Sequence, residues 1–548
     1  MKRRITFVHG AESPFDPDKQ AKLSNDVLSI RELDAAKEER LTFGFDELPG
    51  ELWQVLKNCH ELHIRWATER PYDAVVPFSS RVSPGLHVFY TPVAANRTTE
   101  RLCPLLKKIF AEDLKCLLPE ISFTAPPILS QRFASTSALQ FHSLLPSLAD
   151  LVTYIQHVIC GADNTDCQSN ASSLLSADSV DIDYDSISHS LTVSALWSKP
   201  PEGQDGWTEE IRKNNKRKSD KIEVGLLAAQ KATDLEELSM GGFLVVIGED
   251  KKLKPTLFSF PSRHHPLPED VSYTVSFESP TGLHPTLKIS IPRQALLTRP
   301  PAPPDATCAL HTYLTLPSTI FADKYQLSTT DPLFLNSHHL VALRSVAGET
   351  DLEAPDWVVP RWGSNLLLEL ATPAGRKSRP GDRHGHADGD SWNITIPLHL
   401  RYLEPSQSGY RSTSVPWPVV FWACTAEDGT KMGINPFDRV NLGWEGLFGP
   451  RTMFFQLHPS LSSSRFVEDI QVPVLKEAPL VAEEGASSRS LQTAQQIELG
   501  TVLVIVLGFV WVLWRLGLVV RSSGIGDGDR RRERERGPAR SGDGKKDK

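Results

Sequence analysis

The fold of the second half of the chain is decided by the stretch WNITIPLHLRYL, Trp392–Leu403. It is rich in β-branched and aromatic residues, and Pro/Gly/Ser-rich turns bound it, which predicts a strand. Four further segments have the same character and the same kind of boundary. They are Leu340–Val346, Leu366–Thr372, Pro418–Cys424 and Thr452–Leu457. Several short strands separated by such turns predict an antiparallel β-sandwich.

The first 300 residues are mixed. Glu61–Ala67 and Gly85–Tyr90 alternate and carry β-branched or aromatic residues, which predicts strands. Helical spacing with a proline at the start predicts a helix over Pro104–Leu118, and Leu145–Cys160 is a second helix candidate. The Ser/Asp-rich segment 161–185 is predicted to be an exposed loop. The expected class of this region is α+β.

Composition excludes several classes of protein. The chain has 548 residues, with 59 Lys+Arg against 67 Asp+Glu and 40% hydrophobic residues, which excludes a strongly basic nucleic-acid binder and a mostly disordered polyelectrolyte. Seven cysteines in this length are too few for a disulfide scaffold, and their odd number leaves one unpaired. The 41 prolines favour short strands and many turns, because proline is excluded from helix interiors and central strands.

A membrane helix is predicted near the C-terminus, at Leu499–Val520. Fifteen of its 22 residues are Leu, Val, Ile or Phe, and only Arg515 is charged. Such a helix would reach about 33 Å, enough for a hydrocarbon core of about 30 Å. Gly508 and Gly517 offer small surfaces for packing against other membrane helices. A GPI-attachment signal is excluded, because a charged tail of 28 residues follows the apolar run.

Charge on the two sides of this helix predicts its orientation. The tail 521–548 holds ten Lys/Arg and six Asp/Glu, a net of +4, so residues 1–520 carry −8 − 4 = −12. Arginines cluster on the downstream side, which predicts a cytosolic tail and a lumenal bulk. The N-terminus has no apolar segment of signal-peptide length. Two topologies therefore stay open: a late helix that directs translocation of everything before it, which the charges favour, or a tail-anchored protein with a cytosolic bulk.

Short motifs agree with an endoplasmic reticulum membrane protein. Asn96, Asn170 and Asn393 begin N-glycosylation sequons, which are candidate glycan sites in a lumenal bulk. Lys545 and Lys546 lie fourth and third from the C-terminus, the spacing of a dilysine retrieval signal on a cytosolic tail.

No catalytic constellation stands out in the sequence. Asp181-x-Asp183 and Asp388-x-Asp390 match the pattern by which glycosyltransferases hold a divalent metal, although such triplets are common in acidic loops. Histidine pairs could supply metal ligands, but structural zinc needs four ligands at defined spacing. They are His264–His265, His338–His339 and His384 with His386. Cys308 and Cys424 are a disulfide pair or buried free thiols. We therefore expect no catalytic residue, cofactor or metal.

Four stretches carry a resemblance when taken in order. They are HTYLTLPSTIFADKYQL (His311–Leu327), DPLFLNS (Asp331–Ser337), WNITIPLHLRYLEPSQSGY (Trp392–Tyr410) and VPWPVVFWAC (Val415–Cys424). Together they resemble the PIG-X family and its fungal counterparts, the PBN proteins. The resemblance covers about Thr307 to Val474, and the long N-terminal region and single C-terminal helix also look like the fungal members.

The resemblance implies a non-catalytic subunit of GPI mannosyltransferase I in the endoplasmic reticulum. That enzyme adds the first mannose to the GPI precursor, and the family member stabilises a separate polytopic catalytic subunit, PIG-M in animals. Assistance to the folding of other proteins in that compartment is also implied. The alternatives are a glycosyltransferase-type enzyme with an Asp-x-Asp metal site and a tail-anchored, cytosol-facing adaptor. No nucleic-acid partner is expected.

The expected organisation follows from all of these observations. The predicted segments are a lumenal α+β region (1–298), a Pro-rich linker (299–306), a PIG-X-like β domain (307–475), a polar stalk (476–498), a transmembrane helix (499–520) and a basic cytosolic tail (521–548).

Overall fold

A computed structural model describes most of the chain. The described residues are 1–10, 15–93, 99–126, 138–160, 164–213, 220–232, 234–268, 270–351, 354–373, 391–426, 429, 435–439, 441–476 and 487–522, the last range with side chains only for 499–519. The chain forms two units, Met1–Glu477 and Ala478–Lys548.

The first thirteen strands build a ten-stranded sheet and a three-stranded sheet. They are β1 (Lys2–His9), β2 (Ala21–Ser24), β3 (Val27–Leu33), β4 (Ala36–Gly44), β5 (Cys59–Ala67), β6 (Gly85–Pro92), β7 (Leu139–Ser143), β8 (Ser179–Asp185), β9 (Ser190–Trp197), β10 (Trp207–Arg212), β11 (Lys221–Gln230), β12 (Glu237–Val246) and β13 (Lys254–Pro261). The large sheet has the order β13-β12-β11-β1-β4-β9-β8-β5-β6-β7, and the small one β10-β3-β2. Within the large sheet, β1 pairs in parallel with β11 and antiparallel with β4.

The remaining strands form the second half of this unit. They are β14 (His264–Pro266), β15 (Ser272–Phe277), β16 (Thr286–Pro292), β17 (Thr307–Pro317), β18 (Ile320–Phe321), β19 (Leu340–Gly348), β20 (Gly363–Leu370), β21 (Ser391–Pro397), β22 (His399–Leu400), β23 (Tyr410–Pro416), β24 (Val419–Thr425), β25 (Thr452–Gln456), β26 (His458–Pro459) and β27 (Val467–Pro473). A six-stranded sheet has the order β14-β25-β24-β17-β20-β19, and a four-stranded sheet has the order β21-β16-β15-β26. The pairs β18-β22 and β23-β27 complete it.

Helices are short except for the last one. They are α1 (Pro17–Gln20), α2 (Gly50–Leu56), α3 (Leu102–Ile109), α4 (Pro119–Ser122), α5 (Ala149–Tyr154), α6 (Thr165–Ser173), α7 (Arg293–Leu297), α8 (Lys324–Leu327), α9 (Pro332–His338) and α10 (Ser487–Ser522). Single turns of 3-10 or π helix are Phe45–Glu47, Thr99–Arg101, Ile155–Cys160, Leu174–Ser176, Asp356–Val358 and Glu445–Leu447. Proline begins α1, α4 and α9, a position where its missing N–H costs nothing.

The six-stranded and four-stranded sheets make the predicted sandwich. Leu310 and Leu314 of β17 face Ile289 of β16 and Ile394 of β21 in one core cluster, and each is at most 1% exposed. The intervening residues of β17, such as Tyr313, point to the other face, where Phe421 and Trp444 pack. Both faces of the six-stranded sheet are therefore buried. The prediction of a mainly β chain with a sandwich and one C-terminal apolar helix is confirmed.

The ten-stranded sheet has an apolar face and a polar face. Its apolar face packs on α2, α3 and α5 through residues such as Ile64 and Leu106, and on the three-stranded sheet through Ile5 and Leu28. Its polar face carries His63 and Arg65 of β5, and these side chains are also buried. The residues that cover this polar face form the candidate site together with His63 and Arg65.

Two details of the N-terminal region differ from the sequence prediction. Segment 161–185 contains α6 and β8 rather than only a loop, because Val180, Ile182 and Tyr184 alternate with the aspartates and give β8 an apolar face. The helix predicted at Pro104–Leu118 ends at Ile109, and a turn closed by the disulfide Cys103–Cys116 follows it. The last strand of the ten-stranded sheet, β13, ends at Pro261, and the first strand of the six-stranded sheet, β14, begins at His264.

Six of the seven cysteines form disulfides. The pairs are Cys103–Cys116, Cys160–Cys167 and Cys308–Cys424. Cys308 and Cys424 are direct cross-strand neighbours on β17 and β24, so the pairing of these strands decides between the two states left open by the sequence. Cys59 is the remaining thiol. It is buried and donates to the Val55 carbonyl oxygen at 3.2 Å, and burial raises its pKa to about 12.

Candidate functional site

The Asp-x-Asp pair of β8 lies on the polar face of the ten-stranded sheet. Strand alternation directs Asp181 and Asp183 to this face, opposite Arg65 and His63 of the neighbouring strand β5. The Arg65 side chain is fully buried. Its Nη2 lies 2.5 Å from Asp183 Oδ1, and its Nε lies 3.7 Å from Asp181 Oδ1. We call the polar side chains that meet on this face the polar seam.

Two more cationic groups complete the pairing of these carboxylates. Arg439, from the loop before Glu445–Leu447, places Nε 2.7 Å from Asp181 Oδ2 and donates from Nη1 to the Ser80 carbonyl oxygen at 3.2 Å. His63 Nδ1 lies 2.7 Å from Asp183 Oδ1. Burial alone would raise the pKa of Asp183, but the charge of Arg65 and the hydrogen bond from His63 outweigh it and hold that pKa well below its usual range.

A second buried contact, between a histidine and a carboxylate, extends the seam into the second half of the unit. His264 Nε2 lies 3.0 Å from Glu445 Oε1, and the other carboxylate oxygen accepts from the Leu442 N–H at 3.2 Å. Arg263 donates to the carbonyl oxygens of Glu445 and Gly449 at 3.2 and 2.9 Å. Burial raises the pKa of Glu445, but the bond to His264 and the charge of Arg263 reverse the shift and lower it.

Gln140, on the edge strand β7, joins the ten-stranded sheet to the six-stranded sheet. It is fully buried, and its Oε1 accepts from Asn365 Nδ2 at 2.8 Å and lies 3.3 Å from the Tyr313 hydroxyl oxygen. Its backbone carbonyl oxygen accepts from Trp362 Nε1 at 2.9 Å. The partners of this one side-chain amide are therefore residues more than 170 positions away in the sequence. The polar seam is an internal contact between the two halves of the unit.

This arrangement is unsuited to metal-dependent catalysis. The carboxylates of Asp181 and Asp183 point at arginine and histidine side chains, so a cation would have to displace buried positive charge. Within the residues that the structure describes, no group of three or more His, Cys, Asp or Glu side chains could hold a metal ion. The charged side chains that line a surface pocket at this place are the carboxylates of Glu38, Asp181, Asp183 and Asp438 and the guanidinium groups of Arg40 and Arg439. The seam can stabilise and orient the two halves.

Other predicted ligands have structural partners too. His265 Nε2 lies 2.7 Å from the Ser262 carbonyl oxygen, and its ring stacks on Phe455. His338 Nδ1 and Thr395 Oγ1 are 2.8 Å apart, and His339 Nδ1 lies 2.6 Å from the Asn393 carbonyl oxygen. The structure does not bring these two pairs together. Asp388, Asp390 and the His384–His386 segment lie outside the described residues.

Sequon residues occupy different surroundings. Asn393 is exposed on β21, and its Oδ1 accepts from Ser290 Oγ at 2.8 Å. Asn170 is exposed on α6. Asn96, Lys545 and Lys546 lie outside the described residues, so the structure adds nothing to their predicted roles.

The second unit contains the predicted membrane helix. Residues Leu499–Val519 of α10 have a mean hydropathy of 2.5, and the helix is long and apolar enough to cross a membrane. Within this helix the guanidinium of Arg515 lies 5.6 Å from the centre of the Trp511 ring.

Comparison with known proteins covers both units. The family described as PIG-X / PBN1 matches residues 280–517. A protein pbn1 of Emericella nidulans is 60% identical over 100% of both chains. A protein pbn1 of Aspergillus fumigatus is 60% identical over 97% of this chain and 98% of its own. A protein pbn1 of Neurospora crassa is 40% identical over 96% of both chains.

The chain belongs to the PIG-X / PBN1 family. Many of the residues that carried the resemblance are core or anchoring residues of this PIG-X / PBN1 domain. Phe421 and Cys424 are fully buried, and His311 stacks on Phe421. Arg401 of the LHLRY motif is 2% exposed and donates to the carbonyl oxygens of Ala354 and Glu349 at 2.8 and 3.3 Å. It therefore holds the segment after β19.

Sequence reasoning missed Arg65, Arg439 and Glu445 as members of the seam. A signal for Arg65 exists, because His63 and Arg65 alternate on β5 as Asp181 and Asp183 alternate on β8. Two strands with complementary charges at the same period are suited to neighbouring positions in a sheet. No such periodicity marks Arg439, which reaches its partner from 258 residues away.

Replacing Arg65 by methionine should unfold the protein more easily. The change keeps the side-chain length but removes the buried cation that Asp181 and Asp183 share, which should lower the free energy of unfolding by about 3–5 kcal/mol. Denaturant titration of the detergent-solubilised full chain measures it. The control Arg212→Met removes an arginine whose side chain is 67% exposed and should change stability by less than about 0.5 kcal/mol. Equal effects of the two changes would contradict a stabilising role for Arg65.

Stability should fall as the pH drops from about 6.5 to 4. Burial lowers the pKa of His87 and of His265 to about 4, so both stay neutral in the folded chain while the unfolded chain binds protons below about pH 6.5. Each histidine should contribute a loss of about 3 kcal/mol across this window. His63, whose pKa is raised, acts in the opposite direction.

Denaturation midpoints at pH 7.5 and pH 4.5 measure this loss. His87 faces Arg65, Arg439 and His142, so protonation adds like charge to a buried site. His87→Gln should reduce the difference between the two midpoints, whereas the same change at the exposed His157 should leave it as it is. If the His87→Gln variant keeps the pH dependence of the wild type, the loss of stability at low pH does not come from His87.

Proposed function

We propose that the protein is a non-catalytic subunit of GPI mannosyltransferase I in the endoplasmic reticulum. It stabilises a polytopic, PIG-M-like catalytic subunit and so allows transfer of the first mannose to the GPI precursor. The observation that carries the proposal is membership of the PIG-X / PBN1 family along the whole chain, with 60% identity to a fungal pbn1 protein over its full length. Assistance to other proteins folding in the same compartment is a wider form of the same role.

Two features of the structure support a non-catalytic role. The Asp181 and Asp183 carboxylates are paired with Arg65, Arg439 and His63, so the Asp-x-Asp site of the enzyme alternative is occupied by cationic side chains. The described part of the chain has one helix that could cross a membrane. A lipid-linked sugar donor calls for a cavity between several membrane helices, which a partner would have to supply.

We also propose a single-pass membrane topology with a lumenal N-terminus and a cytosolic tail. Arginines downstream of the helix support this orientation. The three disulfides support it as well, because such bonds persist in oxidising compartments and are rare in the cytosol. A dilysine signal at Lys545 and Lys546 would then face the cytosol, where retrieval signals are read.

Depletion of the protein tests its role. We expect the level of the catalytic subunit to fall and GPI precursor lacking its first mannose to accumulate. Raised expression of the catalytic subunit should then restore part of the mannose transfer, because a stabilising subunit acts through its partner's abundance. Immunoblotting and radiolabelled lipid analysis measure the two quantities.

A control separates the stabilising role from catalysis. Asp388→Ala with Asp390→Ala removes the second Asp-x-Asp pair and should leave both the partner level and mannose transfer as in the wild type. Loss of transfer in this variant at a normal partner level would favour the enzyme alternative. Normal partner level and continued transfer after depletion would overturn the proposed function itself.

Glycosylation should reveal the topology. A lumenal bulk exposes Asn170 and Asn393 to the glycosylation machinery, so we expect glycans on Asn393 at least, and candidates on Asn170 and Asn96. Endoglycosidase treatment should increase the gel mobility of the wild type, and the Asn393→Gln variant should shift by one glycan less. An unchanged mobility of the wild type would favour the tail-anchored, cytosol-facing alternative.

A further inference from the structure

Exposed apolar side chains gather on three segments that lie far apart in sequence. The segments are the turn after Cys116 with α4, the single turn Asp356–Val358, and the residues after β22. We call the following five side chains the aromatic patch. They are Leu117 (64% exposed), Ile121 (41%), Trp357 (55%), Val358 (57%) and Tyr402 (69%).

Polar contacts hold these three segments together. Lys115 Nζ lies 3.2 Å from Asp356 Oδ2, which joins the first segment to the second. The backbone N–H of Trp362 donates to the Ser122 carbonyl oxygen at 3.1 Å. The backbone N–H of Asp356 donates to the Tyr402 carbonyl oxygen at 3.0 Å, which joins the second segment to the third. The three segments that carry the five exposed apolar side chains are therefore neighbours in space.

Each segment is also fixed from below. The Cys103–Cys116 disulfide anchors the residue before Leu117 to α3. The side chain of Trp362 is 4% exposed and packs in the core beneath the ten-stranded sheet. Arg401, adjacent to Tyr402, is buried against Phe321 with its guanidinium 4.2 Å from the ring centre. A surface that is rigid before binding loses little conformational entropy on binding.

Charge around the patch is mainly acidic. Glu112, Asp113 and Glu120 are exposed beside the first segment. The basic side chains near the three segments, Lys115, Arg361 and Arg411, are paired with Asp356, Glu349 and Glu404. Anionic lipid headgroups would be repelled by such a rim. A protein surface that combines apolar side chains with Lys or Arg would be attracted, and Trp and Tyr are enriched among the residues that dominate binding energy.

We infer that the aromatic patch is the docking surface for a lumenal loop region of the catalytic subunit, one with apolar side chains flanked by basic residues. This inference rests on the proposed function and names its contact surface. Large exposed patches on soluble surfaces mark interaction sites, and an apolar centre with a charged rim is the usual anatomy of an interface. The surface joins the N-terminal region to the PIG-X / PBN1 domain, so both are needed for binding.

Co-purification of the full chain with a tagged catalytic subunit from solubilised membranes tests the inference. Trp357→Ala with Tyr402→Ala should lower the amount of bound partner at least about tenfold, as expected for two central aromatic residues. The matched control, Tyr325→Ala with Leu257→Ala, removes side chains that are 70% and 74% exposed elsewhere and should bind as the wild type. Equal binding of both variants would overturn the docking surface.

Charge reversal tests the rim. Glu112→Lys with Asp113→Lys and Glu120→Lys should weaken co-purification, whereas Glu202→Lys with Asp205→Lys, at exposed positions of another loop, should not. Unchanged binding in the triple variant would overturn the basic character assigned to the partner. All variants should reach the wild-type level and keep their three disulfides, which shows that they fold.

Two further outcomes separate the inference from the proposed function. If the wild type fails to co-purify with the catalytic subunit at all, the proposed function fails. If the wild type binds and the patch variant binds equally, only the docking surface fails. A lipid contact is checked in phosphatidylcholine–phosphatidylinositol vesicles whose brominated chains quench tryptophan fluorescence. The wild type and Trp357→Phe should lose the same fraction of their fluorescence. A smaller loss in the variant would show that Trp357 contacts lipid and would overturn the protein docking surface.

Discussion

The buried Arg65 constrains how the whole unit Met1–Glu477 can fold. Arg65 lies under the second half of the chain with no exposed surface, and a guanidinium in such a place must be neutralised. Asp183 and Asp181 meet this requirement from the next strand, and Arg439 balances the second carboxylate from the far end of the sequence. The ten-stranded sheet can bury its polar face only when the loop that carries Arg439 is in place.

Because of this dependence, we expect the two halves of the unit to fold together rather than separately. Gln140 is satisfied by Tyr313 and Asn365, and His264 is satisfied by Glu445. Each half, if it folded alone, would leave several of these polar groups without a hydrogen-bond partner. Buried polar groups without partners cost free energy. The interior of the protein is thus stabilised by contacts between segments that are distant in sequence.

Local periodicity accounts for what the sequence could predict. The strands β5, β6, β19 and β24 follow from alternation and β-branched residues, and α10 follows from length and hydropathy. The polar seam did not follow, because Asp181 and Arg439 are 258 residues apart and carry no shared pattern. β8 was missed for a related reason: aspartates on a buried polar face look like loop residues. The disulfide of Cys308 likewise depends on the register of β17 with β24, which sequence spacing does not specify.

Strand β1 has a consequence for biosynthesis. It lies between β4 and β11 and pairs in parallel with residues made more than 200 positions later. During synthesis, one edge of this strand must wait for β11, and long-range parallel pairing is slow. One edge of β1 therefore stays unpaired until β11 has been made, which exposes an aggregation-prone edge and creates a requirement for chaperones during synthesis.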